Sequence, residues 1–205
     1  MPTSQWSQIG VIVDAMMRLQ PKSVLDVGVG HGKWGFLARE YLEIFPGRVP
    51  YGTRTHRVEG IEAHEPYLGP VHEQLYDRVH RGEALDVLRT LDDRSFDLVL
   101  LIDILEHMPR DVGREVLEHA TRVGRVVLVS VPRDFKERDE FLGNRYEQHV
   151  SPWSMADLRR AGARTFLVNP ASHIGVLSRE PLPAALGMPA RLERWLRLWL
   201  RGRLY

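Results

Sequence analysis

Apolar residues recur along the chain in short runs that are rich in β-branched side chains. Two of the runs, 96–103 and 125–132, show no polar alternation, which is typical of strands buried on both faces of a sheet. The pattern predicts seven strands, at residues 23–28, 57–62, 78–81, 96–103, 125–132, 164–169 and 173–178.

Helix-like amphipathic stretches lie between these runs, at residues 33–45, 67–76, 110–122 and 154–161. Strands that alternate with helices indicate βαβ units with right-handed crossovers. Only residues 170–172 separate the last two runs, which is too short for a crossover. The predicted fold is therefore an α/β, mostly parallel seven-stranded sheet with helices on both faces and an antiparallel hairpin at its C-terminal edge. Residues 45–56 are predicted to be a loop.

Composition narrows the chemistry. The 205 residues, 43% of them hydrophobic, are enough for one domain with a substantial core. The absence of cysteine excludes disulfides, thiolate metal sites and thiol nucleophiles. The sequence contains neither an apolar stretch of membrane-spanning length nor the pattern of a secretory signal, so a soluble, cytoplasmic protein is expected.

The last 16 residues differ in charge from the rest. Residues 190–205 hold five Arg and one Glu, whereas the whole chain has a net charge of only +1. We expect one domain over 1–180 and a basic amphipathic helical tail over 181–205. That helix could pack on the domain or in a homodimer, and this interpretation is favoured because it needs no further partner. Alternatively, it could lie as a peripheral helix on an anionic membrane or contact RNA. Its apolar stripe comprises Leu192, Trp195, Leu196, Trp199 and Leu200.

A glycine-rich stretch, VLDVGVGHGKWG, follows the first predicted strand at residues 24–35. Glycine lets the backbone turn tightly and lets a ligand approach main-chain atoms, and ligands of such folds bind at the carboxyl ends of the strands. A dinucleotide fingerprint would need glycine where Lys33 stands. Asp26, just before the loop, also disfavours a pyrophosphate, so a cationic ligand is expected.

The pattern Asp26-x-Gly28-x-Gly30-x-Gly32 resembles the first motif of class I S-adenosylmethionine-dependent methyltransferases, and the resemblance covers about residues 5–180. It implies a Rossmann-like fold, S-adenosyl-L-methionine as cofactor and S-adenosyl-L-homocysteine as product. In that family an acidic residue ends the second strand and holds the ribose hydroxyls, which points here to Glu62. The implied cofactor-binding residues are Asp26, Gly28, Gly30, Gly32, Glu62, Ala63, Glu83, Ala84, Asp103 and Ile104.

Two histidines are candidate catalytic bases. Methyl transfer to a hydroxyl needs an aligned oxygen and a group that removes its proton. His107 follows the fourth predicted strand, and His149 lies in YEQHVSPW, a segment expected near the same rim. Imidazole titrates near neutral pH and suits this role; alternatively, both histidines only orient their loops. Most of the other histidines are expected at the surface.

A metal site is an alternative interpretation of the same residues. Asp103-x-x-Glu106-His107 with the distant His149 is similar to the E-x-x-E-H and later His that hold a divalent ion in small-RNA 3′-end 2′-O-methyltransferases. The chain departs from that pattern because Asp103 replaces the first Glu. Carboxylates combined with imidazoles suit Mn²⁺, Fe²⁺ or Zn²⁺ better than Mg²⁺.

The resemblance thus implies a methyltransferase for a small or medium-sized acceptor. Oxygen is favoured over nitrogen because the turn DILEHMP lacks the Asn/Asp-Pro-Pro-aromatic motif of amino-group methyltransferases. The alternatives are a metal-assisted RNA 2′-O-methyltransferase and a non-catalytic S-adenosylmethionine-binding module with an interaction tail. Residues 6–19 are predicted to form a helix that packs on the sheet or serves as a lid. Residues 133–148 are predicted to be a polar loop, either bordering the acceptor or solvated.

Overall fold

The computed structural model describes residues 3–47, 50, 52–183 and 186, which include a seven-stranded sheet. Its strands are β1 (Ser23–Val27), β2 (Arg57–Glu62), β3 (Arg78–Arg81), β4 (Phe96–Ile102), β5 (Gly124–Pro132), β6 (Thr165–Leu167) and β7 (Ser172–Ser178). The strand order is β3-β2-β1-β4-β5-β7-β6. The pairs from β3 to β5 are parallel, and β7 is antiparallel to both β5 and β6. The predicted fold, including the C-terminal hairpin, is confirmed.

Among the described residues, six α-helices connect or precede these strands: α1 (Ile9–Leu19), α2 (Lys33–Arg39), α3 (Pro70–Leu75), α4 (Ala84–Thr90), α5 (Arg110–Val123) and α6 (Met155–Arg160). Helix α4 was not predicted, although it is no shorter than α3 and α6, which lie within predicted amphipathic stretches. No helix in the described part of the chain is long and apolar enough to cross a membrane. The predicted tail helix falls outside the described residues.

The sheet is covered on both faces by separate apolar clusters. Along β4, Leu98 and Leu100 belong to the cluster that includes α1 and α2, whereas Val99 and Leu101 belong to the cluster that includes α5. All four side chains are fully buried, which explains why this run shows no polar alternation. Because both faces of the sheet are covered by apolar side chains, a polar ligand site is expected at the ends of the strands.

The end of α2 is fastened to the chain that enters β2. Helix α2 continues as one π-helical turn, Glu40–Ile44, which turns Glu43 into the interior. The Oε1 atom of Glu43 accepts hydrogen bonds from Arg39 Nη1 (2.9 Å) and from the backbone N–H groups of Thr55 (2.7 Å) and His56 (2.8 Å). This carboxylate therefore closes the loop that precedes β2.

We predict that Glu43→Ala lowers the free energy of unfolding by about 3 kcal/mol, because the buried Arg39 loses one of its two carboxylate partners and the N–H groups of Thr55 and the buried His56 lose their acceptor. Urea denaturation followed by circular dichroism measures this. Glu140→Ala, at an exposed position, is the control and should change stability by no more than about 0.5 kcal/mol. Equal stabilities of the two variants would show that Glu43 does not hold the loop.

Candidate active site

A cleft of about 960 Å³ opens at the carboxyl ends of the central strands. Its walls come from the loop after β1, the turns after β2 and β4, N-terminal residues 3–6, and parts of the segment 132–149. Ten of the twelve residues predicted from the sequence line it: Gly28, Gly30, Glu62, Ala63, Glu83, Ala84, Asp103, Ile104, His107 and His149. Asp26 and Gly32 are the two that do not.

The glycine loop is held from two sides at Gly30. Its N–H donates to Glu62 Oε2 (2.9 Å), and its carbonyl oxygen is 2.8 Å from Nε2 of His72 on α3. The Gly69 N–H donates to Nδ1 of His72, so the proton of this imidazole lies on Nε2 and is donated to Gly30. His72 is buried, contrary to the surface position expected of most histidines, and so is His56. A ligand therefore meets a fixed backbone here.

Two of the glycines are required by the left-handed backbone conformation of the loop. Gly28 has φ of +79°, and a Cβ there would lie 2.1 Å from Ile104 Cδ1. Gly32 caps α2 with φ of +84°, and a Cβ there would lie 2.8 Å from Leu75 Cδ1. The turn can form because neither position carries a side chain. Gly28 also borders the cleft, whereas Gly32 does not line it.

Asp26 lies beneath the loop. Its Oδ2 accepts a 2.6 Å hydrogen bond from the Tyr76 hydroxyl, which in turn accepts the N–H of Gly35 in α2. Its Oδ1 has no hydrogen-bond partner within the described residues. Burial raises the pKa of Asp26 to about 7, although the Tyr76 hydrogen bond opposes the shift. Asp26 is therefore placed to support the loop from below.

Two glutamates border the β2 and β3 side of the cleft. The buried Glu62 also accepts the His64 N–H at Oε1 (2.8 Å), and its carboxylate has further lone pairs for ligand hydroxyls. Glu83 is exposed and bonds to Arg145 (3.1 Å) and to the Tyr146 hydroxyl (3.3 Å). The polar segment after β5 thus reaches across to the end of β3. Residues 133–148 were predicted to be a polar loop that either borders the acceptor or is solvated. The segment borders the cleft.

His107 and His149 form a pair on the opposite side. Their rings meet edge to face with centroids 4.8 Å apart. Nδ1 of His107 lies 2.9 Å from the Gln148 carbonyl oxygen, and Nδ1 of His149 lies 3.1 Å from that of Lys136. A carbonyl only accepts, so each Nδ1 carries the proton and each Nε2 keeps a lone pair. Burial lowers the pKa of both imidazoles, which keeps them neutral at neutral pH.

Glu106 completes this side of the cleft. It is 1% exposed, and its Oε2 has no hydrogen-bond partner in the described part of the chain. Burial raises its pKa well above the usual range, and the charge of Asp103 adds to this shift. Ligand atoms of Glu106, His107 and His149 lie within 4.8 Å of one another. One carboxylate and two imidazoles fit a first-row divalent ion, and imidazoles whose Nδ1 donates to a carbonyl are typical of metal ligands.

Asp103 and Lys33 bind the N-terminal residues. Asp103 has φ of +53°, and its carboxylate accepts from Gln8 Nε2 (2.9 Å), Ser130 Oγ (2.6 Å) and the Gln5 N–H (3.1 Å). Lys33 Nζ donates to the Ser4 carbonyl oxygen (2.6 Å) and hydroxyl (3.1 Å). In the sequence, Lys33 was noted only because it stands where a dinucleotide-binding motif has its third glycine. No periodicity or motif linked Gln8 to Asp103, which lies 95 positions away in the chain.

Most of the chain matches a known protein family. Residues 9–165 match a family described as a methyltransferase domain. No curated protein sequence matches the chain significantly. The strand order, the glycine loop and the cleft at the strand ends define a class I, Rossmann-like methyltransferase. The chain belongs to this methyltransferase domain family and is an S-adenosylmethionine-dependent methyltransferase.

Solved structures agree with this fold. The chain is similar to the PH0226 protein from Pyrococcus horikoshii OT3, with a TM-score of 0.60, 16% identity, and coverage of 85% of this chain and 88% of the other. It also resembles a SAM-dependent methyltransferase from Archaeoglobus fulgidus (TM-score 0.53, 16% identity, 78% and 73% covered). A third is an O-methyltransferase family protein from Burkholderia thailandensis (TM-score 0.52, 19% identity, 85% and 56% covered). At these identities the likeness concerns the fold.

The buried Asp26 gives a pH-dependent prediction. Its pKa is about 7 in the folded chain and 3.8 as the unperturbed value, so between these pH values the folded state keeps a proton that the unfolded state loses. The contribution of Asp26 to the free energy of unfolding is therefore greatest below pH 3.8. It decreases as the pH rises from 3.8 to 7, by about 4 kcal/mol in total. Asp26→Asn keeps the acceptor for Tyr76 and removes that loss.

Urea denaturation at pH 5 and pH 8 measures the effect. The free energy of unfolding of Asp26→Asn should exceed that of the unmodified protein at pH 8 by more than it does at pH 5. Asp139→Asn, at an exposed position, controls for removal of one charge. An Asp26→Asn variant that is less stable by the same amount at both pH values would contradict the assigned burial cost.

Proposed function

We propose that the protein transfers the methyl group of S-adenosylmethionine to a hydroxyl oxygen of a small or medium-sized acceptor. The observation that carries this proposal is the pair of neutral imidazoles, His107 and His149, whose Nε2 lone pairs are available in the cleft. A hydroxyl must lose its proton as it attacks, and a neutral imidazole accepts that proton near neutral pH. The similar O-methyltransferase family protein supports oxygen as the acceptor atom.

The cofactor would lie along the glycine loop. Glu62 is placed to accept hydrogen bonds from the ribose hydroxyls, and Glu83 and Ala84 border the adenine end. Gly28, Gly30 and Ile104 would surround the methionine end, where the backbone can be approached closely. When bound, S-adenosylmethionine supplies a methyl group activated by positive sulfur. The residues fit this group, since the loop is bare at Gly30 and rigid through Glu62 and His72.

The protein's own part in the reaction is alignment and proton removal. The segment after β5 places His149 beside His107 and reaches Glu83 through Arg145 and Tyr146. One segment thus borders both the proposed base and the proposed adenine end. Holding the acceptor oxygen in line with the methyl group accounts for much of the catalysis in such displacements, and Nε2 of either histidine takes the hydroxyl proton.

Glu62→Ala tests the cofactor site. We expect the dissociation constant for S-adenosylhomocysteine to rise about tenfold to one hundredfold, because the variant loses the ribose acceptor and releases the Gly30 N–H. Isothermal titration calorimetry measures this. Glu65→Ala, in the same turn and with an exposed side chain, should bind as the unmodified protein does. Unchanged affinity in Glu62→Ala would place the ribose elsewhere.

A metal-assisted reaction is the second candidate, and Glu106 favours it. Its buried, unpartnered Oε2 lies with the two histidines in a set that fits a divalent ion. Glu106, His107 and His149 would hold the ion, which would supply a Lewis acid to lower the pKa of the acceptor hydroxyl. Ion binding would also explain an otherwise costly buried carboxyl group, because the ion displaces its proton.

One experiment tests the hydroxyl acceptor and separates the two candidates. Methyl transfer from radiolabelled S-adenosylmethionine is measured with acceptor mixtures that carry hydroxyl, amine or thiol groups, before and after dialysis against EDTA. We expect incorporation into hydroxyl compounds and a loss of about a hundredfold or more in His107→Ala and His149→Ala. His119→Ala, on α5 and not among the residues that line the cleft, is the control.

Activity that survives EDTA supports the imidazole base. Activity that is lost with EDTA, is restored by Mn²⁺ and is lost in Glu106→Gln supports the metal. Incorporation into amines alone, with full activity in both histidine variants, would contradict the proposed oxygen chemistry.

A further inference from the structure

The N-terminal residues cross the cleft as a strap, defined here as residues 3–8. One peptide group of the strap, between Ser4 and Gln5, contacts two opposite charges. Its carbonyl oxygen accepts from Lys33 Nζ (2.6 Å), and its N–H donates to Asp103 Oδ2 (3.1 Å). Lys33 begins α2 next to the glycine loop, and Asp103 follows β4. The strap therefore joins the two sides of the cleft at the methionine end of the proposed cofactor site.

Gln8 locks the strap in place. It is completely buried, and its amide nitrogen donates to both carboxylate oxygens of Asp103 (2.9 Å each) and to Ser172 Oγ (2.6 Å). Its amide oxygen lies 3.1 Å from Ser130 Oγ. One side chain thus connects the strap to the ends of β4, β5 and β7. A fully buried amide with this many partners is costly to displace.

The strap is held by polar contacts more than by apolar burial. Its largest side chain, Trp6, borders the cleft but is 77% exposed. Each contact that Lys33 and Asp103 make with the strap comes from a neutral group: a peptide, an amide or a hydroxyl. Neutral partners orient these charges without cancelling them. An ammonium and a carboxylate on one ligand would supply both countercharges.

We propose that Gln8 is a positioning residue for the cofactor. By locking the strap it holds Lys33 and Asp103 as a fixed pair of opposite charges, which receives the carboxylate and the ammonium of the cofactor's amino-acid end. Closure of the strap and binding of that end therefore favour each other, and release of the product requires the strap to open. This inference rests on the cofactor site proposed above and adds the strap and Lys33 to it.

The test compares two ligands that differ in the amino-acid end. S-adenosylhomocysteine has it, whereas 5′-methylthioadenosine keeps the adenosine and the sulfur but lacks it. Binding of each is measured by calorimetry to the unmodified protein, Gln8→Ala, and the control Gln74→Ala. Gln74 is exposed on α3 and does not line the cleft. Thermal unfolding of each ligand-free variant shows that it is folded.

We expect Gln8→Ala to weaken S-adenosylhomocysteine about tenfold, as for loss of one charge-assisted hydrogen bond, and to leave 5′-methylthioadenosine within about twofold. Gln74→Ala should leave the affinity for both ligands within about twofold of the unmodified protein. Lys33→Met is a second test, and it leaves the buried Gln8 amide in place. This variant should also weaken S-adenosylhomocysteine and leave 5′-methylthioadenosine unaffected.

Equal weakening of both ligands in folded Gln8→Ala, or no weakening of either, would overturn the positioning role. If Gln8→Ala does not fold, equal weakening or none in Lys33→Met overturns the proposed charge pair. If neither ligand binds the unmodified protein, the proposed cofactor site itself fails, and that outcome is distinct from the other two.

Discussion

The bond between Glu62 and the backbone of Gly30 is the interaction on which the rest of the site depends. Glu62 ends β2, and Gly30 lies in the loop between β1 and α2, so this carboxylate joins two parallel strands at the edge where ligands of such sheets bind. His72 on α3 completes the clamp from the other side through the Gly30 carbonyl. Glycine has more backbone freedom than other residues, and at Gly30 these two hydrogen bonds restrict it.

The same sheet explains where charge is tolerated. Both faces are filled by apolar clusters, so ionisable groups within the sheet must be neutral or paired. Asp26 avoids the cost of a buried charge because its pKa is raised and its carboxyl group accepts a hydrogen bond from Tyr76. At the strand ends, Asp103 is solvated by protein amides and hydroxyls instead of water. Glu106 also has a raised pKa, but its Oε2 accepts no hydrogen bond from any described residue.

The sequence predicted the elements and motifs whose signal is local. The runs that became β4 and β5 lack polar alternation because both faces of each strand are covered, and the glycine spacing reports a turn that admits no side chain at Gly28 or Gly32. Contacts between distant residues left no such signal. His72 beneath Gly30 and Gln8 on Asp103 depend on how α3 and the N-terminal residues pack on the finished sheet.

A crystal structure of the protein with S-adenosylhomocysteine tests the central claim most directly. The account predicts the ribose hydroxyls on Glu62, the adenine beside Glu83 and Ala84, the amino-acid group near the glycine loop, and the sulfur directed toward the side of the cleft that holds His107 and His149. Density for the ligand outside this cleft, or with the sulfur directed away from the two histidines, would contradict it.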